Sequence, residues 1–299
     1  MSKTTFIFIA GFFLSLALFS GDPNYESNVY VVISIALIAL LGIPHGAIDH
    51  ILAMKKTTIK PLVFYSAYLG SIAAYVLAWL YFPKVSMVAF LLVSAYHFGQ
   101  SQFSDIDGNP WFKRLWYLSW GTSILSGLIY YNQAEILELN TSIADMTTFL
   151  PVFDAEIHFI LLIASTALAL GILVYKVATG KIKPQRLGVE LFVFALIHVC
   201  FYLLPILAGF TLYFVILHSL RVMVDEYTFL RKEDFNLNPK KFIGLLLPYS
   251  VISLVGSGLI LLLSRLELLP MSNLLLVFVL ISVITLPHSV VMERFYKED

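Results

Sequence analysis

Histidines inside apolar stretches are the residues of this sequence best suited to chemistry. Seven histidines are present, and four lie towards the same end of apolar stretches that run in the same direction: His45, His97, His218 and His288. Ionisable groups in hydrocarbon are costly and usually functional. Neutral imidazoles gathered at one depth need a shared partner, and a transition metal is the usual one. A set poor in carboxylates and without cysteine suits iron, copper or zinc better than magnesium or calcium.

A second interpretation treats each histidine as an isolated polar residue. In membrane bundles a histidine side chain can hydrogen-bond a neighbouring helix without binding a metal. We favour the metal site because it accounts for four residues at matching depth and direction. The remaining histidines are expected to be structural, with His50 and His158 near the membrane interfaces and His198 in the interior of a helix.

The first of the four histidines occurs in the segment GIPHGAIDH, residues 42–50. In an α-helix, Asp49 lies four residues after His45 and about 40° round the axis, so both side chains share a face. We therefore expect Asp49 to accept the second ring N–H of His45, an arrangement that fixes the tautomer of metal-binding histidines. His50 lies about 140° away and is expected to point elsewhere.

Polar side chains also accompany the second histidine, in the segment YHFGQSQF. Gln100 and Ser101 follow His97 by about one helical turn, and Tyr96 precedes it. A turn of an α-helix brings side chains three and four residues apart to the same face. Gln100 and Ser101 are therefore candidates to lie beside His97 at the site, and Tyr96, its neighbour in the sequence, is a further candidate site residue.

The third and fourth histidines have different neighbours. Arg221 and Asp225 follow His218 on the same side of the helix. They can form an intramembrane ion pair close to the site, or Arg221 can extend its charge towards the inner membrane surface. Pro287 directly precedes His288 and frees a backbone carbonyl group, as often happens at sites inside membranes.

The elements that must position these residues are membrane-spanning helices. Of the 299 residues, 59% are hydrophobic and 13% are charged, whereas soluble domains are about 25% charged. A bilayer core requires about 20 apolar residues per helix. We therefore predict an all-α, polytopic transmembrane bundle of eight to ten spans in a single domain, residues 1–299. The ten candidate spans are residues 4–20, 28–53, 62–82, 85–103, 113–131, 155–177, 187–204, 207–230, 242–263 and 273–294.

Two positions in this assignment allow an alternative. The seventh and eighth spans meet at Pro205 and Gly209, where either a tight turn or a break within one helix is possible. Residues 1–23, MSKTTFIFIAGFFLSLALFSGDP, could be a secretory signal. Because apolar spans continue along the whole chain, we interpret this segment as the first transmembrane helix.

Charge asymmetry supports ten spans. With the N-terminus inside, 16 of the 19 lysines and arginines fall in inner segments, as the positive-inside rule requires. The longest outer loop, residues 132–154, contains no lysine or arginine. We therefore predict that both ends of the chain are cytoplasmic and that the four histidines lie in the inner half of the bilayer.

Charge and cysteine content exclude several classes. The formal net charge is zero and basic runs are short, which argues against nucleic acid as a partner. A single cysteine, Cys200, excludes an intramolecular disulfide and a site built from several cysteines. Cys200 lies in an apolar run and is expected to be a small core residue.

Four motifs occur in this order on a polytopic chain: PHGAIDH, YHFGQSQF, HSLR and LPHSVVME. Over about residues 30–295 the chain resembles the Brp/Blh family of bacterial β-carotene 15,15′-dioxygenases. The first two motifs are the most specific, whereas HSLR and the Pro-His pair are weak when taken alone.

The resemblance implies an inner-membrane enzyme. Such an enzyme cleaves the central double bond of β-carotene with O₂ to give two retinal molecules, which can supply a rhodopsin in the same membrane. It also implies a non-haem Fe(II) held by histidines. Carried over onto the motifs of this chain, the implied ligands are His45, His97, His218 and His288.

One position departs from the family pattern. Some members carry a further histidine one turn after the HSLR histidine, where this chain has Val222. If that histidine is a ligand in those members, His288 or His198 must complete the set here. Two other function classes remain open. One is a di-iron desaturase or hydroxylase, which requires more closely spaced histidines, and the other is a transporter or haem-binding subunit.

Overall fold

A computed structural model describes residues 3–19, 29–57 and 59–297 of the chain. All regular secondary structure in these residues is helical, which confirms the all-α prediction. The α-helices are α1 Lys3–Phe19, α2 Val29–Leu37, α3 Asp49–Lys56, α4 Pro61–Tyr81, α5 Pro83–Phe103, α6 Pro110–Tyr131, α7 Gln133–Ser142, α8 Ala155–Ala178, α9 Pro184–Leu203, α10 Ile206–Leu212, α11 Leu220–Glu233, α12 Pro239–Arg265 and α13 Asn273–Phe295. Shorter irregular helices cover Ile38–Gly42, Ile43–Gly46, Ala144–Phe149 and Tyr213–Ser219.

Seven helical segments in the described part of the chain are long and apolar enough to cross a membrane. They are Val29–Lys56, Pro61–Tyr81, Ala155–Ala178, Pro184–Leu203, Ile206–Glu233, Pro239–Arg265 and Asn273–Phe295. Helices α5 and α6 reach 21 and 22 residues but are less apolar, and α1 has 17 residues. The count of ten spans and the cytoplasmic placement of both ends remain predictions.

Helices α5 and α6 pack against each other at two glycines. A Cβ atom added to Gly99 would lie 2.0 Å from the carbonyl oxygen of Tyr117, and one added to Gly121 would lie 1.7 Å from that of Ala95. No side chain fits such a gap, so the two backbones approach closely, as small residues allow in membrane bundles. Helix α8 packs against α6, and this group of helices holds His97 in the bundle interior.

The segment Val29–Lys56 is irregular where it carries its histidine. A π-helical stretch, Ile38–Gly42, is followed by a 3₁₀ turn, Ile43–Gly46, that contains His45. Pro44 lies in the first turn of the 3₁₀ stretch, where its missing N–H breaks the α-helical hydrogen-bond pattern. Ile48 has φ −108° and ψ 17°, outside the helical region, and α3 begins only at Asp49. Side chains on either side of this break therefore do not follow α-helical spacing.

The segment Ile206–Glu233 is irregular in a similar way. Its π-helical stretch, Tyr213–Ser219, contains His218 and separates α10 from α11. Wide turns of this kind frequently occur at functional sites. Helix α9 ends at Leu203 and α10 begins after Pro205, so the break that the sequence allowed at this proline separates two helices.

Two further features concern the ends of the bundle. Helix α1 packs against α10 and the π-helical stretch that follows it, with Phe8 and Phe12 buried in the main apolar core. Helix α1 is therefore part of the packed bundle. The segment predicted as the longest outer loop, residues 132–154, contains α7 and a 3₁₀ turn, Ala144–Phe149.

Candidate metal centre

The rings of four histidines meet in the interior of the bundle, from α5, α13 and the two irregular stretches. Ring centroids lie 4.7–5.3 Å apart, with interplanar angles of 82–90°, in the pairs His45–His218, His45–His288, His97–His218 and His97–His288. His45 and His97 are nearly parallel, with centroids 6.5 Å apart. His97, His218 and His288 are each no more than 3% exposed. The four imidazoles thus surround a common point.

Three of these histidines can hold a metal ion. One ring nitrogen each from His45, His97 and His288 lies within 4.8 Å of the other two. Imidazole nitrogen binds transition metals at about 2.0–2.1 Å, so a small inward movement of the rings suffices. Rings this close can share a single ion, and the space between them does not accommodate a porphyrin.

The hydrogen bonds of the rings favour one tautomer. Each Nδ1 has a partner on the side away from the common point: the carbonyl oxygen of Gly42 for His45, Gln100 Oε1 at 3.4 Å for His97, Ser101 Oγ at 3.0 Å for His218 and Asp49 Oδ1 at 2.8 Å for His288. Ser101 donates its own hydrogen to the carbonyl oxygen of Phe98, so its oxygen is free to accept from His218. All four Nδ1 atoms can therefore be protonated donors, which leaves Nε2 with a lone pair.

The Nε2 atoms carry the strongest indication of a ligand. In the described part of the chain, Nε2 of His97, His218 and His288 is buried and has no hydrogen-bond partner. Buried polar atoms are nearly always satisfied, and an exception calls for an explanation such as an ion. Orphaned nitrogens on three rings around one point fit a bound transition metal, and a metal-binding histidine typically donates its other N–H as these do.

The predicted hydrogen bond between Asp49 and His45 is wrong. Asp49 accepts from Nδ1 of His288, while His45 donates to the backbone of Gly42. The prediction assumed α-helical spacing, which the 3₁₀ turn and the non-helical Ile48 interrupt. Asp49 still contacts a histidine of the cluster, but that histidine lies on another helix. Asp49 is on α3, and His288 is on α13.

Tyr68 is a contact of this carboxylate that sequence reasoning missed. Its hydroxyl group donates to Asp49 Oδ2 at 2.9 Å. Tyr68 lies on α4, and nothing in the local sequence distinguishes it among 16 tyrosines. Each oxygen of Asp49 therefore has a partner, and the carboxylate is held between α4 and α13.

Gln100 and Tyr96 meet at a residue that the sequence analysis did not single out. Gln100 contacts His97 as predicted, and its amide nitrogen donates to Glu293 at 2.7 Å. Tyr96 also donates to Glu293, at 2.7 Å. Glu293 is the acidic residue that ends the LPHSVVME motif, and its position there could have indicated a role near the site.

Arg221 does not form the predicted ion pair with Asp225, and the extension of its charge towards the inner membrane surface stays a prediction. Its guanidinium group donates to the side-chain oxygen of Gln102 at 2.8 Å and to the backbone oxygen of the same residue at 2.9 Å. Asp225 instead accepts from the hydroxyl group of Tyr296 at 3.2 Å. Arg221 thus ties the start of α11 to the end of α5, which links the helices next to His218 and His97.

The other histidines lie apart from the cluster. His50 packs against Tyr249, with ring centroids 4.3 Å apart. His158 is in the first turn of α8 but is buried, and its Nε2 hydrogen-bonds the carbonyl oxygen of Val152 at 2.9 Å. His198 packs against Phe194, with ring centroids 4.4 Å apart.

The position where the family pattern can carry another histidine is apolar in this chain. Val222 is fully buried in a core cluster with Ile48 and Leu52. His288 lies with the other three rings, whereas His198 contacts residues of α6 and α9. His288 therefore occupies the fourth place in the cluster.

Comparison with known proteins agrees with these observations. The profile of the family described as beta-carotene 15,15′-dioxygenase matches residues 36–296, a range that includes all four histidines of the cluster. The chain belongs to this β-carotene 15,15′-dioxygenase family. The chain is also 26% identical, over 273 residues, to the beta-carotene 15,15′-dioxygenase of uncultured marine bacterium 66A03; the match covers 88% of this chain and 93% of that protein. No solved structure matches.

Membership of the β-carotene 15,15′-dioxygenase family confirms the resemblance carried by the four histidine motifs. It also separates this chain from the two other function classes that its sequence left open.

Proposed function

We propose that this chain cleaves the central double bond of β-carotene with O₂ and releases two retinal molecules. Family membership and the name of the marine relative support this proposal. The observation that carries it is the set of buried, unpartnered Nε2 atoms around one point inside an apolar helical bundle. The reaction is proposed to occur inside the cell's inner membrane, where its substrate is dissolved.

The proposed metal is Fe(II), and the residues that would hold it are His45, His97, His218 and His288. When bound, the ion supplies the redox chemistry that O₂ requires. Zinc has no redox chemistry and does not fit this requirement. The neutral imidazoles suit iron, and their number leaves room for further ligands.

Positioning roles are proposed for the other candidate residues. Asp49 orients His288 and Gln100 orients His97 through the Nδ1 contacts. Arg221 holds α11 against the end of α5 through Gln102. Residues that orient ligands in this way typically tune metal affinity by about 10–100-fold.

Aromatic rings beside the cluster are proposed to hold the substrate. Phe98 and Phe214 lie with ring centroids 4.8 and 5.7 Å from that of His218, and Phe214 stacks on Phe210 at 5.2 Å. Flat rings of this kind pack well against a conjugated polyene and exclude water. Their spacing from the cluster would bring one bond of the polyene next to the reacting centre.

The proposed location inside the membrane also suggests the routes by which the substrate enters and the product leaves. β-Carotene would enter from the lipid bilayer between helices, without passing through water. Retinal would leave by the same apolar route and be available to a rhodopsin in the same membrane. No amino-acid side chain acts as a nucleophile in the proposed reaction.

Expression in a bacterium that produces β-carotene tests the proposal. We expect loss of the orange carotenoid and appearance of retinal with the wild-type chain. Single alanine substitutions of the four cluster histidines should abolish both bleaching and iron content, whereas the matched control His158→Ala should retain both. Unchanged carotenoid in cells that contain folded, iron-loaded protein would overturn the proposal. Full iron and activity in His218→Ala would show that the ligand set is wrong.

A further inference from the structure

Glu293 lies near the end of α13, outside the histidine cluster, and connects several helices. Its Oε2 accepts hydrogen bonds from the amide group of Gln100 and from the hydroxyl group of Tyr96, each at 2.7 Å. Its Oε1 faces two cationic groups, with Arg114 Nη2 at 3.6 Å and Lys297 Nζ at 3.7 Å. The side chain is 27% exposed and joins a buried amide to a cationic surface.

The hydrogen-bonding chemistry of these groups determines which end of the Gln100 amide faces Glu293 and which end faces His97. An ionised carboxylate can only accept hydrogen bonds, so it requires the NH₂ group of Gln100. The carbonyl oxygen of Gln100 must then face the other way, where it lies 3.4 Å from Nδ1 of His97. This oxygen can only accept, and it therefore favours the tautomer of His97 that is protonated on Nδ1.

The tautomer decides whether His97 can serve the cluster. With the proton on Nδ1, the buried and unpartnered Nε2 carries the lone pair that a metal needs. The contact between Gln100 and His97 is long, so it depends on the amide being held in one orientation. If the amide turned over, its NH₂ group would face Nδ1 and favour a proton on Nε2.

We propose that Glu293 is a positioning residue of the metal centre: it fixes the orientation of the Gln100 amide and thereby the tautomer of His97. Arg114 and Lys297 balance its charge at the end of the bundle. The inference rests on the proposed metal centre, and it adds a residue whose hydrogen bonds and ion pairs go to groups other than the four histidines.

Substitution of Glu293 by glutamine tests the proposal. The new side chain has nearly the same shape, but its amide can donate as well as accept, so Gln100 is no longer held in one orientation. We expect the affinity of the metal-free protein for Co(II) to fall by about 10–100-fold. The visible absorption of the remaining complex should change, while the thermal midpoint of the metal-free protein should not. Glu233→Gln is the matched control, because Glu233 pairs with Lys55 at the surface.

A double substitution separates positioning from a general structural effect. In a Gln100→Leu background the amide is gone, and Glu293→Gln should then cause no further loss of Co(II) affinity. If Glu293→Gln does not fold, the acid and the amide can be compared at the same position with side chains one methylene group shorter. Glu293→Asp keeps an acceptor-only group and should bind Co(II) more tightly than Glu293→Asn.

The outcomes distinguish this inference from the proposed function. A wild-type protein that binds no Co(II) through its histidines would overturn both. Wild-type binding with equal affinities in Glu293→Gln and Glu233→Gln would overturn only the role of Glu293. A full loss from Glu293→Gln in the Gln100→Leu background would also overturn it, because the effect would not pass through the amide.

Discussion

Replacement of Asp49 by leucine is expected to weaken metal binding without unfolding the bundle. Asp49 is 3% exposed and accepts hydrogen bonds from His288 Nδ1 at 2.8 Å and from Tyr68 at 2.9 Å. Leucine has a similar size and offers no acceptor. The Nδ1–H of His288 would then lose its partner, and the ring would lose the contact that holds its Nε2 towards the other histidines.

The size of the effect follows from these contacts. A hydrogen bond to a charged group contributes about 1.5–3 kcal/mol, and about 1.4 kcal/mol corresponds to a tenfold change in affinity. Asp49→Leu should therefore reduce metal affinity by about 10- to 150-fold. Asn can still accept from His288 but lacks the charge, which roughly halves the free energy. Asp49→Asn should therefore cost about 3- to 12-fold.

Titration of the metal-free protein with Co(II) measures both values. Asp145→Asn is the matched control, because Asp145 accepts a hydrogen bond at 2.7 Å from the backbone nitrogen of Ser272, which caps the start of α13, whereas His288 lies in the second half of that helix. The Asp145→Asn protein should bind Co(II) as the wild type does. Wild-type affinity in Asp49→Leu would refute the assigned orienting role, and so would equal losses in the Asp49→Asn and Asp145→Asn proteins.

Three further predictions concern stability and the histidines outside the cluster. Gly121→Ala places a methyl group 1.7 Å from the Ala95 carbonyl oxygen and should lower the thermal midpoint more than Gly171→Ala, where space is open. Burial acts to raise the pKa of Asp105, but Arg186 holds this pKa below its ordinary value. The stability advantage of wild type over Asp105→Asn should thus be present above about pH 4 and shrink as pH falls further in thermal scans. His198→Leu should keep full metal content and at least wild-type thermal stability, because both ring nitrogens are buried without a partner.

The choice of site histidines could be made from sequence because depth and direction depend only on span order. The predicted order of apolar stretches indicates which helices run the same way, and the four histidines placed on them meet in the structure. Span order is insensitive to local helical geometry. His158 and His198 were set aside by the same reasoning and lie away from the cluster.

Partners of those histidines were harder to predict. The pairing of Asp49 with His45 failed because the π-helical and 3₁₀ stretches around His45 change the rotation per residue. Tyr68 and Glu293 reach the site from separate helices, and a local pattern carries no information about such contacts. The π-helical stretch at His218 contains no proline or glycine from which it could have been predicted.

The most direct measurement is the O₂-dependent conversion of β-carotene by purified protein, followed by chromatography of the products. We predict that iron-loaded protein forms two retinal molecules for each β-carotene consumed, and that removal of iron by a chelator stops the reaction until Fe(II) is restored. Iron-loaded, folded protein that leaves β-carotene intact would contradict the proposed function. Full retinal formation after complete removal of metal would contradict the role of the histidine centre.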